Sequence, residues 1–317
     1  FITGGTGFIG CWLLESFIRA NDRLLLNAQA VVLTRDPLAF QRKAPHLAGH
    51  PAIQLYQGDV RNFVFPEGRF THVIHAATER DANQFAKHPM RMLDAIFSGM
   101  RHVLDFTLQC GNAKFLLVSS GEVYGSQPAH LMYISEEYPG KPDANDPRSV
   151  LSESKRLLEM LSLTYGQYYG MQVKIARCFS YFGPSQSLDH SCMIGNFIWD
   201  GLRGGPIQLN GKGSSCGSFL YAADLAVWLW TILIRGETCR PYNVGSEQAI
   251  SYHDLAHLVS RMFHSPVPVT TLPSGSPVAL PERYVPSTQA AQEALQLGRP
   301  LSLEDALRRT IEWYQSL

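Results

Sequence analysis

Gly4, Gly7 and Gly10 recur at every third position of Phe1-Ile-Thr-Gly-Gly-Thr-Gly-Phe-Ile-Gly10, between a short β-branched start and a helical run over Cys11 to Ala20. Glycine at such a turn lets the backbone reverse tightly and approach a diphosphate with no side chain in the way. The helix that follows points its unpaired N–H groups and the positive end of its dipole at the same anion. Taken alone, the spacing also suits an ordinary strand-to-helix corner. Further along, Ser119-Ser-Gly-Glu122 closes an apolar run with a hydroxyl and a carboxylate, and Lys155 stands in a long helical pattern. Glu122 at a strand end is placed either for ligand chemistry or for bonding a loop.

The elements that must hold these residues alternate in kind. Ala30 to Thr34, Ile53 to Gln57, Thr71 to His75 and Phe115 to Ser119 read as short buried strands, with a helix from Pro89 to Cys110 before the last of them. Strands alternating with helices predict a parallel sheet covered on both faces, because parallel strands need crossovers. Ligands bind beyond the carboxyl ends of such strands. Each of these runs finishes there in small or polar residues: Thr34, Asp59 after Gly58, Ala76, Ser119 and Ser120. That agreement favours a dinucleotide fold over a plain corner. Ser152 to Tyr165 is a second long helix, followed by a strand from Gln172 to Arg177. Beyond Gly183-Pro184, turn-rich stretches at Gly201 to Gly205 and Asn210 to Gly217 separate short apolar segments. Tyr221 to Ile234 and Tyr252 to Phe263 read as helices, Pro241 to Gly245 as a strand, Pro273 to Pro281 as an exposed connector, and Ser302 as the cap of a last helix.

At 317 residues there is room for one large α/β unit or two lobes. Lys+Arg and Asp+Glu are equal at 27 each, so no overall field recruits nucleic acid or an acidic membrane. The six cysteines include no C-x-x-C pair, which argues against a zinc site and a disulfide framework and for thiols in a reducing compartment. No apolar run approaches the roughly 20 residues of a membrane span and no signal peptide is visible. The chain opens inside its first strand, so an N-terminal address could precede it; a cytoplasmic location is the expectation.

The motifs together resemble the extended short-chain dehydrogenase/reductase superfamily, in particular its nucleotide-sugar epimerases, dehydratases and decarboxylases. The residues that carry the resemblance are Thr3 to Gly10, Gly58-Asp-Val60, His75-Ala-Ala77, Ser119 to Gly125, Ser152-Glu-Ser-Lys155, Arg177 to Pro184, Ser218 to Tyr221, Tyr242 to Gly245 and Arg283 to Pro286. The resemblance implies an α/β fold: a Rossmann-type, doubly wound parallel sheet with a smaller, loop-rich α+β substrate lobe. The first domain would span 1–180, with 219–249 returning to it; the lobe would span 181–218 and 250–317. The cofactor contacts it implies are Gly4, Gly7, Phe8, Ile9, Thr34, Arg35, Asp59, Val60, Ala76, Ala77 and Lys155. Substrate contacts fall on Thr78, Ser120, Ser180, Asn196, Gly217 and Arg283, with no metal. It also implies a homodimer paired through the helices Pro89 to Cys110 and Ser152 to Tyr165.

In that family a tyrosine base, a lysine four positions later and a Ser/Thr hydroxyl serve hydride transfer from the sugar to nicotinamide. The lysine maps onto Lys155 and the hydroxyl onto Ser120, but Leu151 stands at the tyrosine position. Leucine has no proton to exchange, and losing a general base commonly costs about two to four orders of magnitude in rate. The dehydratases' Asp-Glu pair is here Gly121-Glu122, which matches the sugar-acid decarboxylases better. Gly217 replaces an arginine that many relatives set on the diphosphate, so that charge-assisted contact is missing, while Arg283 keeps another. The second strand ends Leu33-Thr34-Arg35 with no acid before Asp36. NAD users usually place an acid there, so Arg35, helped by Arg42 or Lys43, puts NADP slightly ahead of NAD. The reading is an NAD(P)-dependent modification of a nucleoside-diphosphate sugar through transient oxidation at C4. The alternative is a catalytically silent binder of the same ligands.

Overall fold

The computed structural model of the chain describes residues 1–78, 89–143, 145–146, 149–188, 192–210, 213–272 and 283–317. They form two compact units, the first made of Phe1–Val123, Pro142–Arg177 and Ala226–Tyr242, the second of Tyr124–Lys141, Cys178–Leu225 and Asn243–Leu317. The connector expected at Pro273 to Pro281 lies outside the described residues.

The first unit is built on a seven-stranded sheet. Its strands include β1 (Ile2–Thr3), β2 (Ala30–Thr34), β3 (Ile53–Gln57), β4 (His72–His75), β5 (Lys114–Ser120) and β6 (Gln172–Cys178). The order across the sheet is β3-β2-β1-β4-β5-β6, with Pro241–Val244 beyond β6. β1 pairs in parallel with both β2 and β4, β2 with β3, and β4 with β5. This is a Rossmann-type order: the winding reverses between β1 and β4, which opens a crevice at their carboxyl ends. Parallel strands buried on both faces must be apolar throughout, and Val32, Val73, Ile74, Phe115, Leu116 and Leu117 are each at most 1% exposed. The helix α1 (Phe8–Leu24) runs four residues past the expected end at Ala20, to a left-handed cap at Leu25. The helices Pro89–Gln109 and Val150–Tyr169 pack against each other.

The second unit has short strands and helices, as expected of a loop-rich lobe. Cys216–Gly217, inside a stretch read as turn, pairs with Ile250–Ser251 on one side and Arg283–Tyr284 on the other. Tyr124–Lys141, which the sequence reading keeps in the first domain, belongs with this second unit. The reason is bonding: the Tyr124 hydroxyl donates to Asn243 Oδ1 at 2.8 Å, and Ile134 exchanges backbone hydrogen bonds with Val285 and Ser287. The segment returning to the first unit is 226–242, shorter than 219–249.

The crevice is locked at its root by side chains. Thr3 Oγ1 and His75 Nδ1, on β1 and β4, share a hydrogen bond of 2.8 Å, and the Ala77 N–H donates to Thr3 Oγ1 at 3.4 Å. Burial, with the Lys155 charge as a second cause, pushes the His75 imidazole down to about 3 from its ordinary 6.5. The folded chain therefore keeps His75 neutral where the unfolded chain protonates it, and stability rises with pH between those two values. Urea unfolding should show up to ~1.4 kcal/mol per pH unit from this group in that window. His75→Gln should flatten the slope by about one proton; an unchanged slope would assign the dependence to another group.

Candidate cofactor and active site

At the carboxyl end of β1 the chain turns through Gly4, whose φ of +72° is a conformation that side chains rarely adopt. A Cβ on Gly4 would lie 2.5 Å from the Ala76 carbonyl carbon and the Ala77 nitrogen. Gly10 seats α1 on the turn in the same way, since a Cβ there would fall 2.3 Å from the Gly4 carbonyl oxygen. Gly7, at the N-cap, contributes no side-chain cap to α1. These three features leave backbone and open space where a diphosphate would need them.

Around the turn lies a cavity of about 830 Å³, lined within the first unit by Gly4, Gly7, Thr34, Arg35, Asp59, Val60, Ala76, Ala77 and Thr78, among others. Phe8 and Ile9 are half-buried in the first turn of α1 and do not line it. Its walls are charged. Asp59 accepts Nε and Nη2 of Arg61, each at 2.9 Å, and the Arg61 backbone N–H at 2.9 Å. The Arg61 hydrogen bond, with smaller help from the Arg35 charge, holds the Asp59 carboxyl down at about 2. Asp36, the nearest acid to the end of β2, caps the helix Pro37–Lys43 by accepting the Ala39 N–H at 2.9 Å. Lys43 lines the cavity with its Nζ on the Thr6 carbonyl at 2.8 Å, whereas Arg42 does not line it. Sequence reasoning missed Arg61; the Asp-Val-Arg spacing at a strand end was the available signal.

Lys155 is buried, and its Nζ donates to Thr78 Oγ1 at 2.6 Å, which brings the helix Val150–Tyr169 to the rim of the cavity. Leu151 lies one turn earlier on the same helix face, half-buried. Ser120 ends β5, and its Oγ accepts the Glu122 N–H at 3.2 Å within the 3₁₀ turn Gly121–Tyr124. Glu122 is exposed, and Ser120, Glu122 and Leu151 are not among the cavity-lining residues. Tyr124, the nearest phenol in sequence, is 1% exposed with its hydroxyl given to Asn243, so it is not open to act as a base.

In the second unit the strand register sets Tyr284 beside Gly217 and Arg283 beside Cys216. A Cβ on Gly217 would meet the Tyr252 ring at 3.1 Å, so an arginine stem there would need the ring to give by a few tenths of an ångström. Arg283 donates from Nε to the Met132 carbonyl at 2.7 Å, with its guanidinium 5.8 Å from the centre of the Tyr133 ring. Ser180 is half-buried, and its carbonyl accepts the Leu220 N–H at 3.0 Å. Asn196 stands on the helix Met193–Leu202 with a buried Oδ1 that has no protein partner, and the Ser218 hydroxyl is in the same position. Buried polar atoms of that kind call for an acceptor or donor from elsewhere.

Known proteins share this architecture along nearly the whole chain. UDP-glucuronic acid decarboxylase 1 of Xenopus tropicalis is 28% identical over 315 residues, covering 99% of this chain and 71% of that protein. The Arabidopsis thaliana protein of the same name is 26% identical, over 99% of this chain and 69% of its own. Among solved structures, DesIV, a dTDP-glucose 4,6-dehydratase from Streptomyces venezuelae with NAD and TYD bound, superposes with a TM-score of 0.83 at 23% identity, covering 99% of this chain and 96% of that one. The UDP-N-acetylglucosamine 4-epimerase of Methanobrevibacter ruminantium M1 gives 0.84 at 20% identity, covering 99% and 97%. The sequence model of the NAD dependent epimerase/dehydratase family matches residues 1–245, and the chain belongs to that family.

Proposed function

We propose that the chain modifies a nucleoside-diphosphate sugar with NAD or NADP held in the first unit, through transient oxidation at the sugar C4, closest in type to the decarboxylases. The observation that carries this is the Gly4 junction, where an absent Cβ brings backbone against backbone at the start of a helix that no side chain caps, a geometry that suits a diphosphate. A nicotinamide bound there supplies the hydride acceptor. Ser120, whose Oγ already accepts the Glu122 N–H, keeps its own proton to donate to a sugar oxygen. Glu122 is free in solvent to handle a proton or orient the sugar, and Lys155 holds the nicotinamide ribose. Ser180, Asn196 and Arg283 serve the sugar nucleotide; the orphaned Asn196 Oδ1 favours that role. Leu151 provides no base, so a water or another side chain must take the proton. Leu151 also favours a second reading, a silent binder of the same ligands. Six free cysteines agree with a cytoplasmic setting, and among the described residues no helix is long and apolar enough to cross a membrane.

Reduction of nicotinamide on mixing with a panel of nucleotide sugars tests the chemistry. Leu151→Tyr is expected to turn over about 10²- to 10⁴-fold faster than the unaltered chain. Equal rates would show that another group already serves as base, and cofactor binding without turnover in either protein would favour the silent binder.

Arg35 is exposed at the cavity with Asp36 committed to its helix cap, which keeps NADP slightly ahead of NAD. Arg35→Ala should weaken NADPH binding about tenfold and leave NADH binding nearly unchanged, as loss of a charged hydrogen bond to a phosphate predicts. Equal losses for both in calorimetry would remove the 2′-phosphate contact.

Met90, Phe97, Leu157 and Met160, on the two helices that pack together, are 39–74% exposed, and they favour a homodimer through those helices. Sedimentation should give twice the 35.3 kDa chain mass, and Leu157→Glu with Met160→Glu should return it to one. A monomer in both cases would rule the pairing out.

A further inference from the structure

Glu159 sits one helical turn after Lys155, on the same face, and is only 5% exposed. Its carboxylate gathers donors from two neighbouring strands. Ser119 on β5 donates from Oγ to Oε1 at 2.6 Å. Arg177 on β6 donates from Nε to both oxygens at 3.1 Å and from Nη2 to Oε2 at 2.7 Å. Their side chains are 7% and 15% exposed, so the pair is largely withdrawn from water. A buried ion pair is weak evidence for stability, since apolar residues of similar size often serve as well. What it supplies here is direction. Apolar packing by Leu158 lets a helix slide along a sheet, whereas directed bonds from three donor groups to one carboxylate fix its height against β5 and β6 together.

That height sets two groups at once. Ser119 directly precedes Ser120, and Glu159 directly follows Lys155 along the helix face. We propose that Glu159, with Ser119 and Arg177, is a positioning residue that holds the Lys155 ammonium at the cavity rim, in register with Ser120. The inference rests on the reading that Lys155 contacts the nicotinamide ribose. A displacement on the order of 1 Å at such a group is enough to lose its contact.

The test compares NADH with ADP, which shares only the adenosine diphosphate half of the cofactor. Glu159→Met combined with Arg177→Met removes both charges at similar volume. The double variant is expected to melt cooperatively and bind ADP as before, while NADH affinity falls about tenfold, the loss of one charge-assisted hydrogen bond. Lys155→Met should cost little more when added to it than the pair of substitutions already costs. Equal losses of ADP and NADH, or no loss of either, overturn the positioning role. If the double variant does not fold, Ser119→Ala is read in the same way, with a loss of NADH affinity alone expected. Should Lys155→Met by itself leave NADH affinity unchanged, the ribose contact falls and the inference falls with it. That outcome differs from one in which Lys155→Met weakens NADH binding and the double variant does not.

Discussion

Between Gly4 and the peptide joining Ala76 to Ala77 there is no room for another carbon atom. This single close approach decides where β1 ends, how α1 begins and how far apart the first crossover and the fourth strand stand. Thr3 and His75 hold the two strands together just beneath it, with His75 buried and neutral. No side chain caps the N-terminus of α1, which follows the glycine turn directly. Such a turn suits the diphosphate of the proposed cofactor without a dedicated cation, because a helix dipole can supply the attraction.

Most charged residues around the cavity already have partners within the fold. Arg61 takes both oxygens of Asp59, Asp36 is used as a helix cap, and Lys43 is tied to a backbone carbonyl. The end of β2 therefore faces the cavity with Arg35 and with Asp36, one carboxylate oxygen of which is engaged in a helix cap. Deeper in the same unit, the Glu159–Arg177 pair and Ser119 bind the helix of Lys155 to two strands. Both groups of interactions share a logic. Each uses charge to fix the place of a side chain, not to add stability, which buried and exposed ion pairs contribute only weakly.

In the second unit the departures from the family pattern are matched by packing. At Gly217 the Tyr252 ring lies close against the backbone, so the missing arginine is a change in packing as well as in charge. Asn243 gathers the Tyr124 hydroxyl and donates to the carbonyls of Ile134 and Ser287, which draws three distant segments into one buried network. Tyr124 is thereby a structural residue. Leu151 remains a departure that the buried Tyr124 does not make good.

The sequence by itself determined the sheet and its ligand-facing edge. Thr34, Asp59, Ala76 and Ser120 announce strand ends because a parallel strand must turn polar or small where it leaves the core. The glycine spacing announces the turn because no other residue tolerates that backbone and that approach. The same letters also placed Lys155 and Leu151 one turn apart on a helix. Only the tertiary structure decided which polar groups are free. Asp36 is engaged as a helix cap, Tyr124 is buried with its hydroxyl on Asn243, and Glu159 is bound by Arg177 from 18 residues away. Partners of that kind are chosen by packing between elements distant in sequence, and neither spacing nor residue type encodes them locally.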